Sequence, residues 1–208
     1  MMNKGIIMIG SGGHASVLTE ILLEQKQTII GFTAPTLEEN AFDLPYLGTD
    51  EVIEDYNPSD IELVLAIGTI KPSPLREKIF NKFTQKTYQF KSVIHPSAII
   101  APSVQLGQGV QIMAGTIIQT KTTVADNSII NTGALIDHDC QIGSHIHIAP
   151  GTKISGSVHI QKRTHVGTGA TIIQGVHIGS NCLIGAGAVV VSNFANGIKA
   201  VGVPAKEV

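Results

Sequence analysis

From Ile94 to Val190 every sixth residue is aliphatic, seventeen positions in succession, with Ile at all but Leu106, Val124, Val166 and Val190. A period of six matches neither the 3.6 of a helix nor the alternation of a plain strand, and a sustained hexapeptide period marks a parallel β-helix. Written as hexads from Val93 to Phe194, the stretch shows a second column four residues after each aliphatic, small or apolar: Ala98, Val104, Val110, Thr116, Thr122, Ser128, Ala134, Cys140 and onward. Both columns must point inward, because the large aliphatic fills a narrow prism while the small residue lets the chain turn a corner beside it. The other four columns carry Gly, Pro, Asn, Asp, His and Lys, and no long insertion breaks the run. Three hexads make one triangular coil of eighteen residues, and coils stack about 4.8 Å apart.

The repeat leaves room ahead of it for one small second domain, so the expected division is residues 1–92 and 93–208. Trp is absent and Gly numbers 22, which suits a narrow prism of Ile and Val with glycine at its corners. A formal charge of −2 gives no electrostatic reason to expect nucleic acid or an anionic membrane as a partner. Charge is uneven: the only acids within the coils are Asp126, Asp137 and Asp139. Cys140 and Cys182 both fall in the small inward column and are expected buried and unpaired. With that cysteine usage, no signal-like apolar N-terminus and no apolar run near 18 residues, the expectation is a cytoplasmic protein.

Residues 5–10 read as a buried strand, and the following SGGHASVLTEILLEQ reads as a glycine turn entering an amphipathic helix. A strand at Thr28–Phe32, a short helix near Asp50–Tyr56, a strand at Ile61–Ile67 and a helix around Pro74–Lys86 complete an alternating β/α order. That order implies a small parallel, Rossmann-like sheet. Gly10, Gly12 and Ala15 match G-x-G-x-x-A between strand and helix, where backbone N–H groups at a positive helix end suit a phosphate or diphosphate. The acid that a nicotinamide site needs after the second strand is missing across Gly31–Pro35. A different diphosphate is therefore preferred, and a tight turn without a ligand is the alternative.

His138 is the candidate general base. It lies on an outward column beside Asp139 in nearly uncharged coils, and a carboxylate within reach of one imidazole nitrogen would fix its tautomer. Adjacent strand residues point to opposite sides, so contact between the two requires a corner there. His147, His159, His165 and His177 share a column and should stack as the pairs 147/165 and 159/177; such pairs lack the further ligands a tetrahedral metal site needs, and no metal is expected.

Several of these motifs together resemble the bacterial nucleotide-sugar N-acetyltransferases of the bacillosamine type, with relatives called sialic acid O-acetyltransferases. They are Gly10-Ser11-Gly12-Gly13-His14, Ala66-Ile67-Gly68 before a helix with Arg76, Ile94-His95-Pro96-Ser97-Ala98, and Asn131-Thr132-Gly133 before Asp137-His138-Asp139-Cys140. The resemblance spans essentially the whole chain and implies a left-handed β-helix following the N-terminal sheet. It implies His138 as base with Asp139 in support, where relatives commonly carry Glu. It implies acetyl-CoA contacts at His147, Thr168 and Ala186, and a Gly156 N–H facing the thioester oxygen. Gly156 and Ala186 also read as plain corner residues.

Nucleotide-sugar contacts would fall on Gly12, Gly13, His14 and Thr69, and Gly202-Val203-Pro204-Ala205-Lys206 resembles the tail that closes over the coenzyme. The family's acid after the second strand is replaced near Thr33. The resulting expectation is acetylation of the amine of a UDP-linked amino-deoxy sugar by a homotrimer. The alternatives are O-acetylation of sialic acid or a related sugar, and a non-catalytic trimeric scaffold.

Overall fold

The structure, a computed structural model, describes residues 4–37 and 39–208. Its backbone divides into two compact units, one comprising the chain up to Gly68 with Leu75–Val93, the other Thr69–Pro74 with Ile94–Val208.

In the first unit, β1 (Gly5–Ile9), β2 (Ile29–Thr33), β3 (Tyr46–Gly48) and β4 (Ile61–Leu65) form a parallel sheet in the order β3-β2-β1-β4, with helices α1 (Gly13–Glu24) and α2 (Leu75–Gln85). The central strand β1 buries Ile6, Ile7, Met8 and Ile9 almost completely, as a strand covered on both faces must. Strand β3 is an addition to the sequence reading: only three residues long and following Pro45, it carries no alternation to reveal it. The segment Asp50–Asp55 winds as a 3₁₀ helix. Arg76 is buried on α2 and donates from Nη1 to the carbonyls of Leu65 (2.9 Å) and Ile67 (2.5 Å), tying α2 to the end of β4. Burial pushes its guanidinium down to about 9, which leaves it charged at neutral pH.

The second unit is a left-handed parallel β-helix whose strands are mostly two residues long, one per hexad. Its first face holds eight strands, running from Val93–Ile94 through His147–Ile148 and His165–Val166 to the terminal pair Lys199–Val201 and Lys206–Glu207. The second face holds six, from Ile99–Ile100 to Val189–Val190, and the third five, from Gln105–Leu106 to His177–Ile178. Successive coils pair in parallel with a shift of eighteen residues, so Ile112, Ile130, Ile148, Val166 and Ile184 form one inward ladder.

The second inward column works as a set of staples. The hydroxyls of Thr116, Thr122, Ser128, Thr152 and Thr164 each donate to a backbone carbonyl fifteen residues on, at 2.7–3.2 Å. Thr122, Ser128 and Thr164 also accept from the N–H groups of Cys140, Ile146 and Cys182. These buried polar groups are thereby satisfied. Cys140 and Cys182 are buried and free.

The three edges of the prism differ. Most corners place one residue in the left-handed region. Between the second and third faces these include Lys121, Asp139 and Ser157; between the third and first they include Asn127, His145, Arg163 and Asn181. Between the first and second faces every such residue is glycine: Gly115, Gly133, Gly151, Gly169 and Gly187. A Cβ at Gly115 would meet only backbone, at ordinary contact distance, and at Gly133, Gly151, Gly169 and Gly187 it would meet none of the described residues within 4 Å. That edge is left bare.

At the C-terminal end Lys206–Glu207 folds back antiparallel on Lys199–Val201 and buries Ala205 over the last coil. This protects an open sheet edge. Among the described residues no helix is long and apolar enough to cross a membrane. Because the inward ladder is packed on all sides, Ile148→Ala is expected to lower unfolding free energy by about 2–5 kcal/mol. Gln141→Ala, exposed and outward on the third face, should change it by less than about 0.5 kcal/mol. Urea titration of both variants checks the contrast.

Candidate active site

The candidate residues gather into three clusters. The first lies on the edge between the second and third faces. There Asp139 sits at the corner with φ 58°, and the turn swings its carboxylate toward its neighbour, so that Oδ2 lies 2.8 Å from His138 Nδ1. Paired with a carboxylate, Nδ1 carries the proton and donates it, which leaves the Nε2 lone pair for an incoming group. The His138 backbone N–H donates to Asp137 Oδ1 at 2.8 Å. The two side chains of the dyad are 44% and 49% exposed, so the contact orients the ring more than it stabilises the fold.

One coil away, Gly156 lies under the imidazole. A Cβ there would come within 2.5 Å of Cε1 and 2.6 Å of Nε2 of His138, so only glycine leaves the ring its place. Among the described residues no acceptor takes the Gly156 N–H, although its carbonyl accepts from Gly175.

The second cluster is a groove of about 340 Å³ on the bare edge between the first and second faces. Pro150, Thr168 and Ala186 stack along it from one coil to the next, and Thr69, His147, His165, Leu183 and Lys199 line its first-face side. His147 is buried and held at both nitrogens: Nδ1 donates to the Thr69 carbonyl at 2.7 Å, and Nε2 lies 3.0 Å from Asn131 Nδ2. Asn131 Oδ1 accepts from the Thr132 N–H, which turns the amide so that Nδ2 donates to His147. The ring is thus fixed as the neutral Nδ1–H tautomer. His165 stacks edge-on against it at 4.9 Å, and His159 lies 4.4 Å from His177 on the third face, as their eighteen-residue spacing predicts. Among the described residues no three His, Cys, Asp or Glu side chains converge as metal ligands would.

The third cluster belongs to the sheet unit. Gly10 (φ 105°), Gly12, Gly13 and His14 line a hollow of about 450 Å³ with Ala34, Pro35 and Gly68. Helix α1 starts at Gly13 with no side-chain cap, and a Cβ on Gly12 or Gly13 would project into open space. A bare helix N-terminus of this kind suits an anion. At the end of β2, Thr33 is buried and donates to Asp50 Oδ1 at 2.6 Å. A carboxylate therefore reaches the position by way of the 3₁₀ helix.

His138, Asp139 and Gly156 come together on one edge, while His147, Thr168, Ala186 and Thr69 come together on another, with the second face between them. Sequence reading missed Asn131 as the residue that locks His147, although its motif was in view. It also missed the glycine at every eighteenth position from Gly115 to Gly187, which a search for a longer period would have found.

A hexapeptide β-helix with a bare-edged groove and a His–Asp corner, joined to a parallel sheet with a glycine turn, defines an acyltransferase of the hexapeptide-repeat class. Residues 5–83 match the PglD N-terminal domain, and residues 157–192 match the bacterial transferase hexapeptide of six repeats. The chain is 36% identical to PerB from Caulobacter crescentus, solved with CoA and GDP-perosamine, over 98% of this chain and 97% of that one, with a TM-score of 0.90. It is 31% identical to the acetyltransferase domain of PglB from Neisseria gonorrhoeae, over 99% and 100% of the two chains, with a TM-score of 0.93. It is also 31% identical over 118 residues to UDP-N-acetylbacillosamine N-acetyltransferase of Bacillus subtilis, a match spanning about half of that relative (52%). The chain belongs to this family of hexapeptide-repeat sugar N-acetyltransferases.

Burial holds the His165 imidazole below its ordinary value of 6.5, and His159 shifts the same way through burial and the nearby His177. For a base with a depressed folded-state value, the unfolded chain binds the proton more tightly. Stability is therefore full above pH 6.5 and is lost as pH falls through the folded value. His165→Phe should flatten part of the fall in melting temperature below pH 6.5 and leave the remainder due to His159. An unchanged slope would contradict this.

Proposed function

We propose that this chain transfers an acetyl group from acetyl-CoA to the amine of a nucleotide-linked amino-deoxy sugar, with UDP as the nucleotide, in the cytoplasm. The observation that carries the reading is the His138–Asp139 dyad, whose free Nε2 stands over Gly156 and its unpaired N–H. His138 Nε2 removes the proton as the sugar nitrogen attacks the thioester carbonyl, and Asp139 stabilises the imidazolium that results. The Gly156 N–H donates to the oxygen as it gains charge. Collapse breaks the C–S bond, and the proton passes from His138 to the departing thiolate.

Acetyl-CoA occupies the groove beside Thr168 and Ala186, with its arm along the coils and the His147 ring against it. Gly12, Gly13 and His14 hold the nucleotide diphosphate at the start of α1, with Thr69 a further contact to the nucleotide sugar. Binding energy from that remote group then serves to position the amine.

The working form is a homotrimer. A face-wide gap between base and groove is several times the ~3–3.5 Å approach of reacting atoms. The outward column of the second face between them carries Ile99 (62% exposed), Ile117, Leu135 (38%) and Val189, with Lys153 and Thr171 among them. Turning that face toward a threefold axis would bury the column and bring the base edge of one copy against the groove edge of the next.

An assay of thiol release with UDP-, GDP- and dTDP-amino sugars and free sialic acid tests the acceptor. Turnover of a UDP-amino sugar is expected, and turnover of sialic acid alone would overturn the reading. His138→Ala should lower kcat by about 10²–10⁴-fold. Gly156→Ala, which displaces the imidazole, should lower kcat by at least about 10²-fold with little change in KM for acetyl-CoA. Unchanged kcat in His138→Ala would remove His138 as the base, and no thiol release with any of these acceptors would favour a non-catalytic scaffold.

A further inference from the structure

We propose that His165 anchors the acyl donor in the groove by donating a hydrogen bond from Nε2 to an amide carbonyl of the donor's pantetheine arm. The inference rests on acetyl-CoA as the donor and names a side chain that holds it.

His165 is only 7% exposed, and its Nδ1 is sealed from solvent without a hydrogen-bond partner among the described residues. An orphaned buried N–H is rarer and costlier than an under-used lone pair. The proton of the neutral ring therefore resides on Nε2. That nitrogen has no partner among the described residues either, but it is not sealed, and His165 lines the groove. The ring thus offers the groove one oriented N–H donor. Its stacked neighbour His147 cannot do the same, since Thr69 and Asn131 engage both of its nitrogens.

The surroundings fit a long polar chain laid across the coils. The outward ladder runs His147, His165, Leu183, Lys199 in adjacent strands. His165 and Lys199 are two coils apart, about 10 Å at the usual strand spacing. A cation at that end suits the donor's phosphates, and an amide carbonyl further along the arm comes to His165.

The bare edge beside the groove points the same way. Left-handed corners elsewhere hold Asp139, His145, Arg163 and Asn181, so conformation alone does not demand glycine at Gly151, Gly169 and Gly187. No described residue of the same protomer would touch a Cβ there. The space is kept for something lying along the edge.

Calorimetric binding of CoA, together with KM for acetyl-CoA, tests the proposal. His165→Phe keeps an aromatic ring and removes the donor, and should weaken CoA binding and raise KM for acetyl-CoA about five- to tenfold. KM for the nucleotide sugar should stay as in the parent. His165→Gln, which restores an N–H, should recover most of the loss, and binding of the adenosine bisphosphate half of CoA should be equal in all three proteins. Parent-like CoA affinity in His165→Phe would overturn the proposal, as would a loss that appears equally with adenosine bisphosphate. Should the parent bind CoA yet transfer no acetyl group, the proposed activity fails while a loss of CoA affinity in His165→Phe still upholds the anchor.

Discussion

Each inward Ile or Val of the solenoid rests on another eighteen residues away, and the stack tolerates no slip. A one-residue shift would turn the aliphatic column outward and expose the core of every coil. The hydroxyl staples from Thr116 to Thr164 impose the same spacing through backbone carbonyls, because each reaches its acceptor only at that register. Outward residues inherit this precision. His147, His165, Leu183 and Lys199 form a straight line because the residues after each of them are locked in the core. A strand-borne line of this kind holds its groups better than a loop could.

The edges of the prism divide the chemistry. A corner is the only place where neighbouring residues on so flat a chain can face each other, and the His138–Asp139 contact uses one. The next edge keeps glycine at its left-handed position from coil to coil, so that a groove can run along it. On the proposed reading, one copy supplies the base and another the donor groove. Assembly is then a condition of catalysis, and the apolar second face is what enforces it.

Much of this was legible in the sequence. The hexad fixed both inward columns, the free buried cysteines and the stacking of His147 on His165 and His159 on His177, because a strict period converts residue numbers into positions. What the period could not convey was backbone conformation and tilt at the corners. Asp139 reaches His138 only through its left-handed φ, and Gly156 lies beneath that ring through a vertical contact between coils. Strand β3 stayed hidden because three residues after a proline carry no pattern. The carboxylate of Asp50 reaches Thr33 from seventeen residues away, beyond any local motif. The role of Asn131 depends on which way its amide is turned, a matter of hydrogen bonds alone.

The central claim is that base and groove of one working site come from different copies, and mixed oligomers test it most directly. His138→Ala lacks the base, and Ala186→Trp fills the groove; each alone should be nearly inactive. Co-expressed in equal amounts and purified together, they should regain up to about a quarter of parental activity, the share of random interfaces that pair an intact base edge with an intact groove. Activity no higher than that of the two separate variants, in oligomers shown to contain both chains, would contradict the account.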